Sequence, residues 1–290
     1  MVMPERRLEN CQIMMSMSES PDLGPLAMGE QHYKEAVKEI ARHLLADGAT
    51  LAYGGDLRER GLTWLLFDMA LTYNQAAAPE SAKAKIVNYL ACTAWEKEGA
   101  REEVELEIRR QYRGAAIPKC LPRPKDVQDP ITGQPYVASE DNAAALTDMR
   151  QRIIAESHAH ICLGGKVEGY SGRYPGILEE IALSLSKGRP VYLLGGFGGA
   201  TADAAAVVFG SSPVDPNMRK LKEIYAPGYG AVIKAIEGLK TKAPNNGLNL
   251  EKNRELATAV DIQVLIPLLL RGLRETMHQQ PAHGTVTARP

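Results

Sequence analysis

ICLGGKVEGYSGRYPGILEEIALSLSKGRPVYLLGGFGGA, residues 161–200, reads as strand, glycine loop, helix, strand and glycine loop. A short apolar run, His160 to Leu163, enters Gly164-Gly165. The excursion that follows ends at Pro175-Gly176, where Ile177-Leu178-Glu179-Glu180 opens an amphipathic helix. A second apolar strand, Pro190 to Leu194, runs into Gly195-Gly196-Phe197-Gly198-Gly199. Glycine is needed where backbone turns with positive φ or comes within contact distance of a ligand. A helix starting directly after such a loop presents free N–H groups and the positive end of its dipole, which suits a phosphate or another anion. The segment predicts a nucleotide-like ligand.

The same pattern recurs upstream. Cys11 to Met17 is apolar enough for a first strand, and SESPDLGP follows as a loop. Over Glu30 to Ala46 the residues Ala36, Val37, Ile40, Ala41, Leu44 and Leu45 form one helical face. Thr50 to Tyr53 is a second strand, delivering the chain into Gly54-Gly55; Leu62 to Tyr73 reads as a helix and Lys85 to Ala91 as a third strand. This alternation predicts an α/β, Rossmann-like three-layer sandwich with a mainly parallel sheet, whose ligands collect at the carboxyl ends of the strands.

Between Trp95 and Asp141 the chain is less regular, with a charged helix over Glu102 to Gln111 and a proline-rich loop over Ile117 to Tyr136. Ala143 to Ser157 is helical and feeds the strand of the opening motif. Short helices are expected at Asp203 to Phe209, Met218 to Ile224 and Ala231 to Leu239. Glu251 to Glu275 should give one or two helices interrupted at Pro267, a helical C-terminal extension. Residues 1–278 are expected to form a single domain and 279–290 a fraying tail.

With 34 basic and 35 acidic residues in 290, the chain lacks the basic excess of a general nucleic-acid binder. Cys11, Cys92, Cys120 and Cys162 lie far apart with no CxxC spacing, so neither a disulfide framework nor a zinc site is expected, and a cytoplasmic location fits. Val260 to Leu273 contains Asp261, Gln263 and Arg271 and is too short for a membrane span. Charged residues Glu5, Arg6, Arg7 and Glu9 precede the first apolar run, unlike a signal peptide. His158 and His160 alternate along a strand start with no third ligand nearby, so core or surface histidines are expected and no metal or cofactor. No Ser–His–Asp arrangement is visible.

In YGGDLRERGLT, residues 53–63, a strand ends in Gly54-Gly55 and Thr63 lies in the opening turn of a helix. Asp56 and Arg58 fall at the strand's carboxyl end, where Arg58 can pair with a phosphate. A plain βα turn accounts for the same glycines. Ser16 and Ser18 share one face of the first strand and can hydrogen-bond a phosphate or ribose, or serve an ordinary turn. Arg173 lies in the glycine loop beside Gly172, placed for an anion but equally free to be a solvated charge. Adjacent helical side chains point about 100° apart, so one of Glu179 and Glu180 is expected to face the site and the other solvent. Arg150 and Arg152 likewise face different ways, with one towards the site.

SMSES at 16–20, LAYGGDLRERGLT at 51–63, LTDMRQRI at 146–153, and GGKVEGYSGRYPGILEE followed by GRPVYLLGGFGG together resemble the SLOG superfamily. This Rossmann-like group includes the LOG ("lysine decarboxylase-like") nucleotide phosphoribohydrolases and nucleotide-sensing domains of bacterial conflict systems. NNGLNLEKNRELATAVDI, residues 245–262, is similar to the ending of stand-alone bacterial members. LOG enzymes carry PGGxGTxxE with a catalytic terminal Glu and an Arg on the preceding helix. Gly176-Ile177-Leu178-Glu179-Glu180 matches GTxxE with Thr replaced by Ile, which implies Glu180 in the catalytic position and Arg150 at or beside the arginine. KVEGYSGRY separates the Gly-Gly pair from Gly176, so the phosphate loop is remodelled towards a larger ligand. The resemblance implies binding of a nucleotide or NAD-derived ligand (ADP-ribose or cyclic-nucleotide type), through Gly164, Gly165, Gly172, Gly176, Gly195, Gly196 and Phe197 among others. N-glycosidic hydrolysis is its alternative. It also implies a homodimer or higher homo-oligomer and a bacterial stress or anti-phage context.

Overall fold

The protein is described by a computed structural model covering residues 7–55, 61–76, 83–211, 216–242 and 244–279. Six strands are present among them: β1 (Gln12–Ser18), β2 (Thr50–Gly54), β3 (Lys85–Leu90), β4 (Ala116–Cys120), β5 (Ala159–Gly164) and β6 (Val191–Leu194). All neighbouring strands pair in parallel, in the order β4-β3-β2-β1-β5-β6. Starting from β1 the chain builds outward to β4, then returns to the other side of β1 to lay down β5 and β6. That reversal makes the carboxyl ends of β1 and β5 the switch point at which loops diverge and leave a crevice.

Strand alternation divides the side chains between two cores. Ile13, Met15 and Met17 of β1, with Ile161 and Leu163 of β5, face α1 (Glu30–Ala46), α2 (Leu62–Ala76) and α11 (Ile262–Gln279). The apolar face of α1 is buried as its 3.6-residue spacing requires, and each fully buried aliphatic chain contributes about 1.5–3 kcal/mol. On the opposite face, Met14, Ala52 and Val87 pack under Met149 and Ile153 of α5 (Asp141–Glu156). Cys162, Val191 and Leu193 pack under α6 (Gly176–Ser186), α7 (Gly199–Phe209) and α9 (Tyr229–Leu239). Ser16 and His160 lie on this second face, beneath α6.

Two expectations need correction. The proline-rich stretch expected as loop from Ile117 begins inside edge strand β4, which includes Pro118; an edge strand tolerates the missing donor. Only beyond it does the chain turn irregular, closing a small hairpin in which the Asp129 carboxylate accepts from the Ile131 and Thr132 N–H groups at 2.7 and 3.0 Å. The C-terminal break falls between α10 (Leu250–Thr258) and α11, not at Pro267, which sits inside α11. Asp261 starts α11, its side chain accepting from Gln263 N–H at 2.8 Å. Within Val260–Leu273 the face formed by Leu265, Ile266, Leu268, Leu269 and Leu273 packs on the core, while Val260 and Val264 are among the residues left exposed. Among the described residues no helix is long and apolar enough to cross a membrane.

Candidate functional site

The Gly164-Gly165 corner shows what its glycines are for. Both have positive φ, 65° and 109°. A Cβ on Gly164 would strike the Ser18 carbonyl oxygen, and one on Gly165 would lie 2.8 Å from Ala200 Cβ. Only glycine lets β5 turn this close to the end of β1. Gly165 N–H donates to Ser18 O at 2.9 Å, and Lys166 N–H reaches the Ser18 hydroxyl at 3.3 Å.

Beside this corner opens a cleft of about 520 Å³, within the ~300–1,000 Å³ usual for small-molecule sites. Ser16 and Ser18 line it from β1, Tyr53 and Gly54 from β2 with Gly55 just beyond, and Arg150 from α5. Gly176, Ile177 and Glu180 bring the first turn of α6 to its wall. Lys97, Lys166 and Tyr170 stand around it as well; both lysines are exposed and have no ion-pair partner among the described residues.

Glycines at 172 and 176 make room for a cation. A Cβ on Gly176 would approach Arg150 Nη2 to 2.6 Å, and one on Gly172 would approach Nη1 to 3.1 Å. Arg150 donates to Glu179 Oε2 at 2.5 Å and lies 3.5 Å from Glu180 Oε1. Burial disfavours its charge, but the two carboxylates outweigh that and raise its pKa. Glu179, fully buried, also accepts from Thr147 at 2.5 Å. Neither glutamate faces solvent, contrary to the sequence expectation: Glu179 is committed to Arg150, while Glu180 faces the cleft. Burial pushes the Glu180 carboxyl above its ordinary range; Arg150 and the nearby Ser16 hydroxyl oppose this, and Glu179 adds to it. Arg152 is exposed and paired with Asp148 at 2.7 Å.

Several expected site residues lie elsewhere. Arg173 donates to Asp129 at 2.5 Å and to Glu140, and stacks over Tyr136, so it clamps the 126–140 segment. Thr63 is buried beneath Gly55. Gly195 and Gly196 press against the Ala257 and Ala259 carbonyls at the end of α10. Phe197 packs edge-on against Tyr33, with ring centroids 6.1 Å apart. None of these lines the cleft. Asp56 and Arg58 lie outside the described residues.

Sequence reading missed Lys97, Lys166, Tyr53 and Tyr170 on the cleft walls. Lys166 was legible, since it directly follows Gly-Gly. Lys97 reaches the site only because the short helix α3 (Cys92–Trp95) turns the chain back from β3, which no motif announces. His160, read as a core or surface histidine, is buried and hydrogen-bonded to Ser16 at 2.6 Å.

A six-stranded parallel sheet flanked by helices, with a polar cleft at its switch point, defines a Rossmann-like architecture. The family described as SLOG cluster2 matches residues 7–256, and the chain belongs to the SLOG superfamily. No curated protein matches it significantly.

Proposed function

We propose that the cleft binds a nucleotide or NAD-derived ligand of ADP-ribose or cyclic-nucleotide type, as a sensor or ligand-binding protein. One observation carries the reading. Lys97 and Lys166, which have no ion-pair partner among the described residues, and the first turn of α6 surround one opening that also presents Ser16, Ser18 and Glu180. Lysines and helix-terminal N–H groups suit phosphate; hydroxyls and a carboxyl suit a ribose. Tyr53 and Tyr170 line the same cleft and supply aromatic surface that suits a base. A place in a bacterial stress or anti-phage pathway belongs to the same reading and rests on the family alone.

Titration calorimetry with AMP, NAD and ADP-ribose tests this. At least one should saturate, and Lys97→Ala with Lys166→Ala should weaken it by about tenfold per lysine while stability moves within about 0.5 kcal/mol. Absence of saturable binding by any of them would overturn the proposal.

The Glu180–Arg150 pair favours a second reading, N-glycosidic hydrolysis. Glu180 would stabilise an oxocarbenium-like centre or activate the water that attacks C1′, with the base as leaving group. Free base released by the wild type and lost in Glu180→Gln decides for hydrolysis; saturable binding without release decides for the sensor.

A further inference from the structure

The cleft carries opposite charge at its two depths. At the mouth, Lys97 and Lys166 are exposed and have no ion-pair partner among the described residues. At the floor, one guanidinium serves two carboxylates. Arg150 Nη1 donates to Glu179 Oε2 at 2.5 Å, whereas its Nε stops 3.5 Å from Glu180 Oε1 and is buried without an acceptor. Glu180 exposes 9 % of its side chain, lines the cleft, and accepts no hydrogen bond among the described residues. The groups beneath it bring no positive charge. Ser16 Oγ is 2.6 Å from His160 Nε2, and Cys162 Sγ is 3.2 Å from the same nitrogen. Burial holds that imidazole down to about 3 and pushes the thiol up, so both are neutral.

The floor therefore sets two negative groups against one positive group in a place largely closed to water. A buried charge without a partner is costly, so this excess attracts whatever cation can reach it. Burial raises the Glu180 carboxyl, Arg150 offsets only part of that, and Glu179 adds to it, which is the same deficit felt by a proton. In an oxidised nicotinamide nucleotide the ring nitrogen bonded to C1′ carries a fixed positive charge, and the phosphates lie at the far end of the ribose. That is the charge order of the cleft. A neutral adenine or a reduced nicotinamide leaves the floor unmatched. Tyr53 and Tyr170 line the walls, and aromatic surface attracts a cationic ring. A divalent ion fits less well. It asks for about six oxygen ligands, and among the described residues no three acidic, histidine or cysteine side chains gather to hold a metal.

We propose that the cleft selects a nucleotide with a fixed cation on its base, an N-glycosylpyridinium of the oxidised nicotinamide class, with the cation beside Glu180 and the phosphates towards Lys97 and Lys166. The inference rests on the nucleotide reading of this cleft and narrows it to one charge class.

The test is titration calorimetry on the full chain with the carba analogue of the oxidised nicotinamide dinucleotide and with its reduced form. The two differ by a hydride, and hence by the charge of one ring. A methylene in place of the ribose oxygen prevents cleavage during the titration. The oxidised form should bind at least about tenfold tighter, and Glu180→Gln should bring the two within about twofold by weakening the oxidised form more. Should that variant fail to fold, oxidised and reduced nicotinamide mononucleotide on the wild type carry the test. The same preference between them places the selection in the nicotinamide half, and its absence overturns the inference. Equal affinities, tighter binding of the reduced form, or a preference that survives Glu180→Gln overturns the inference while the nucleotide reading stands. Binding that needs a divalent ion and is abolished by EDTA also overturns it, since a metal then meets the floor. With neither form saturating, the inference falls, and AMP and ADP-ribose decide the wider reading.

Discussion

Gly164-Gly165 and Gly195-Gly196 end neighbouring strands with the same dipeptide, yet they meet opposite fates. The first corner borders an open cleft ringed by Lys97, Lys166 and the start of α6. At the second the chain supplies its own anion. Asp22 accepts the Gly199 N–H at 2.6 Å at the head of α7, and Lys222 of α8 (Pro216–Tyr225) lies 3.6 Å from the same carboxyl oxygen. The end of α10 fills the remaining space. A Gly-Gly corner thus marks a close backbone approach, and the segments that later cover it decide whether ligand or chain does the approaching.

The largest expected effect tests the filled corner. A Cβ on Gly196 would run into the Ala259 carbonyl oxygen and lie 3.0 Å from Thr258 O, both backbone atoms that cannot swing away. Gly196→Ala should therefore cost about 3 kcal/mol, at the upper end of overpacking penalties. Gly169, on the open cleft, has φ 62° and nothing within 4 Å of its would-be Cβ. Gly169→Ala should cost only its left-handed strain, about 1 kcal/mol. Chemical denaturation of both variants measures the contrast, and equal losses would erase it.

How legible was this difference? The βαβ alternation gave the sheet, because apolar runs ending in glycine and amphipathic helices follow from local periodicity. β4 was hidden by Pro118, whose missing donor argues against a strand unless the strand is known to be at an edge. The cleft residues on β1, β2 and α6 were readable because strand ends and a helix start converge in any doubly wound sheet. Arg173 was not, since its partners Asp129 and Glu140 lie 44 and 33 residues away. The burial of Gly195 and Gly196 depends on α10, about 60 residues downstream, and corner chemistry contains no sign of it.

A second contrast lies in the strands that feed the corners. β6 is apolar and buried throughout except for the Tyr192 hydroxyl, whereas β5 buries His160. Burial lowers His160 to about 3, so the native state refuses a proton that the unfolded chain accepts below about 6.5. Its contribution is intact above that pH and is lost as pH falls towards 3. Between pH 6.5 and 5 it should remove about 2 kcal/mol of stability. Glu180 acts with the opposite sign, since its raised pKa makes the native state keep its proton and stability falls as pH rises through it. Denaturation at several pH values should show a shallower acid slope in His160→Gln than in the wild type, whatever its baseline. An unchanged slope would mean that His160 already carries a proton in the fold.

A change at the closed corner's own anion sharpens the comparison most directly. If Asp22 is the anion of the closed corner, Asp22→Ala should cost about 1–2 kcal/mol, the usual loss when a helix-start acceptor disappears and a buried N–H is orphaned. Lys222 keeps Asp203, with Nζ 3.0 Å from Oδ2, so the cation is not stranded. The variant should then behave as an open corner and take an anion from solution. Formate, which restores the deleted carboxylate, should raise its melting temperature and leave that of the wild type unmoved, by ordinary binding linkage. Formate acting equally on both proteins would show that Asp22 contributes packing alone, and the two corners would then differ in shape but not in electrostatics.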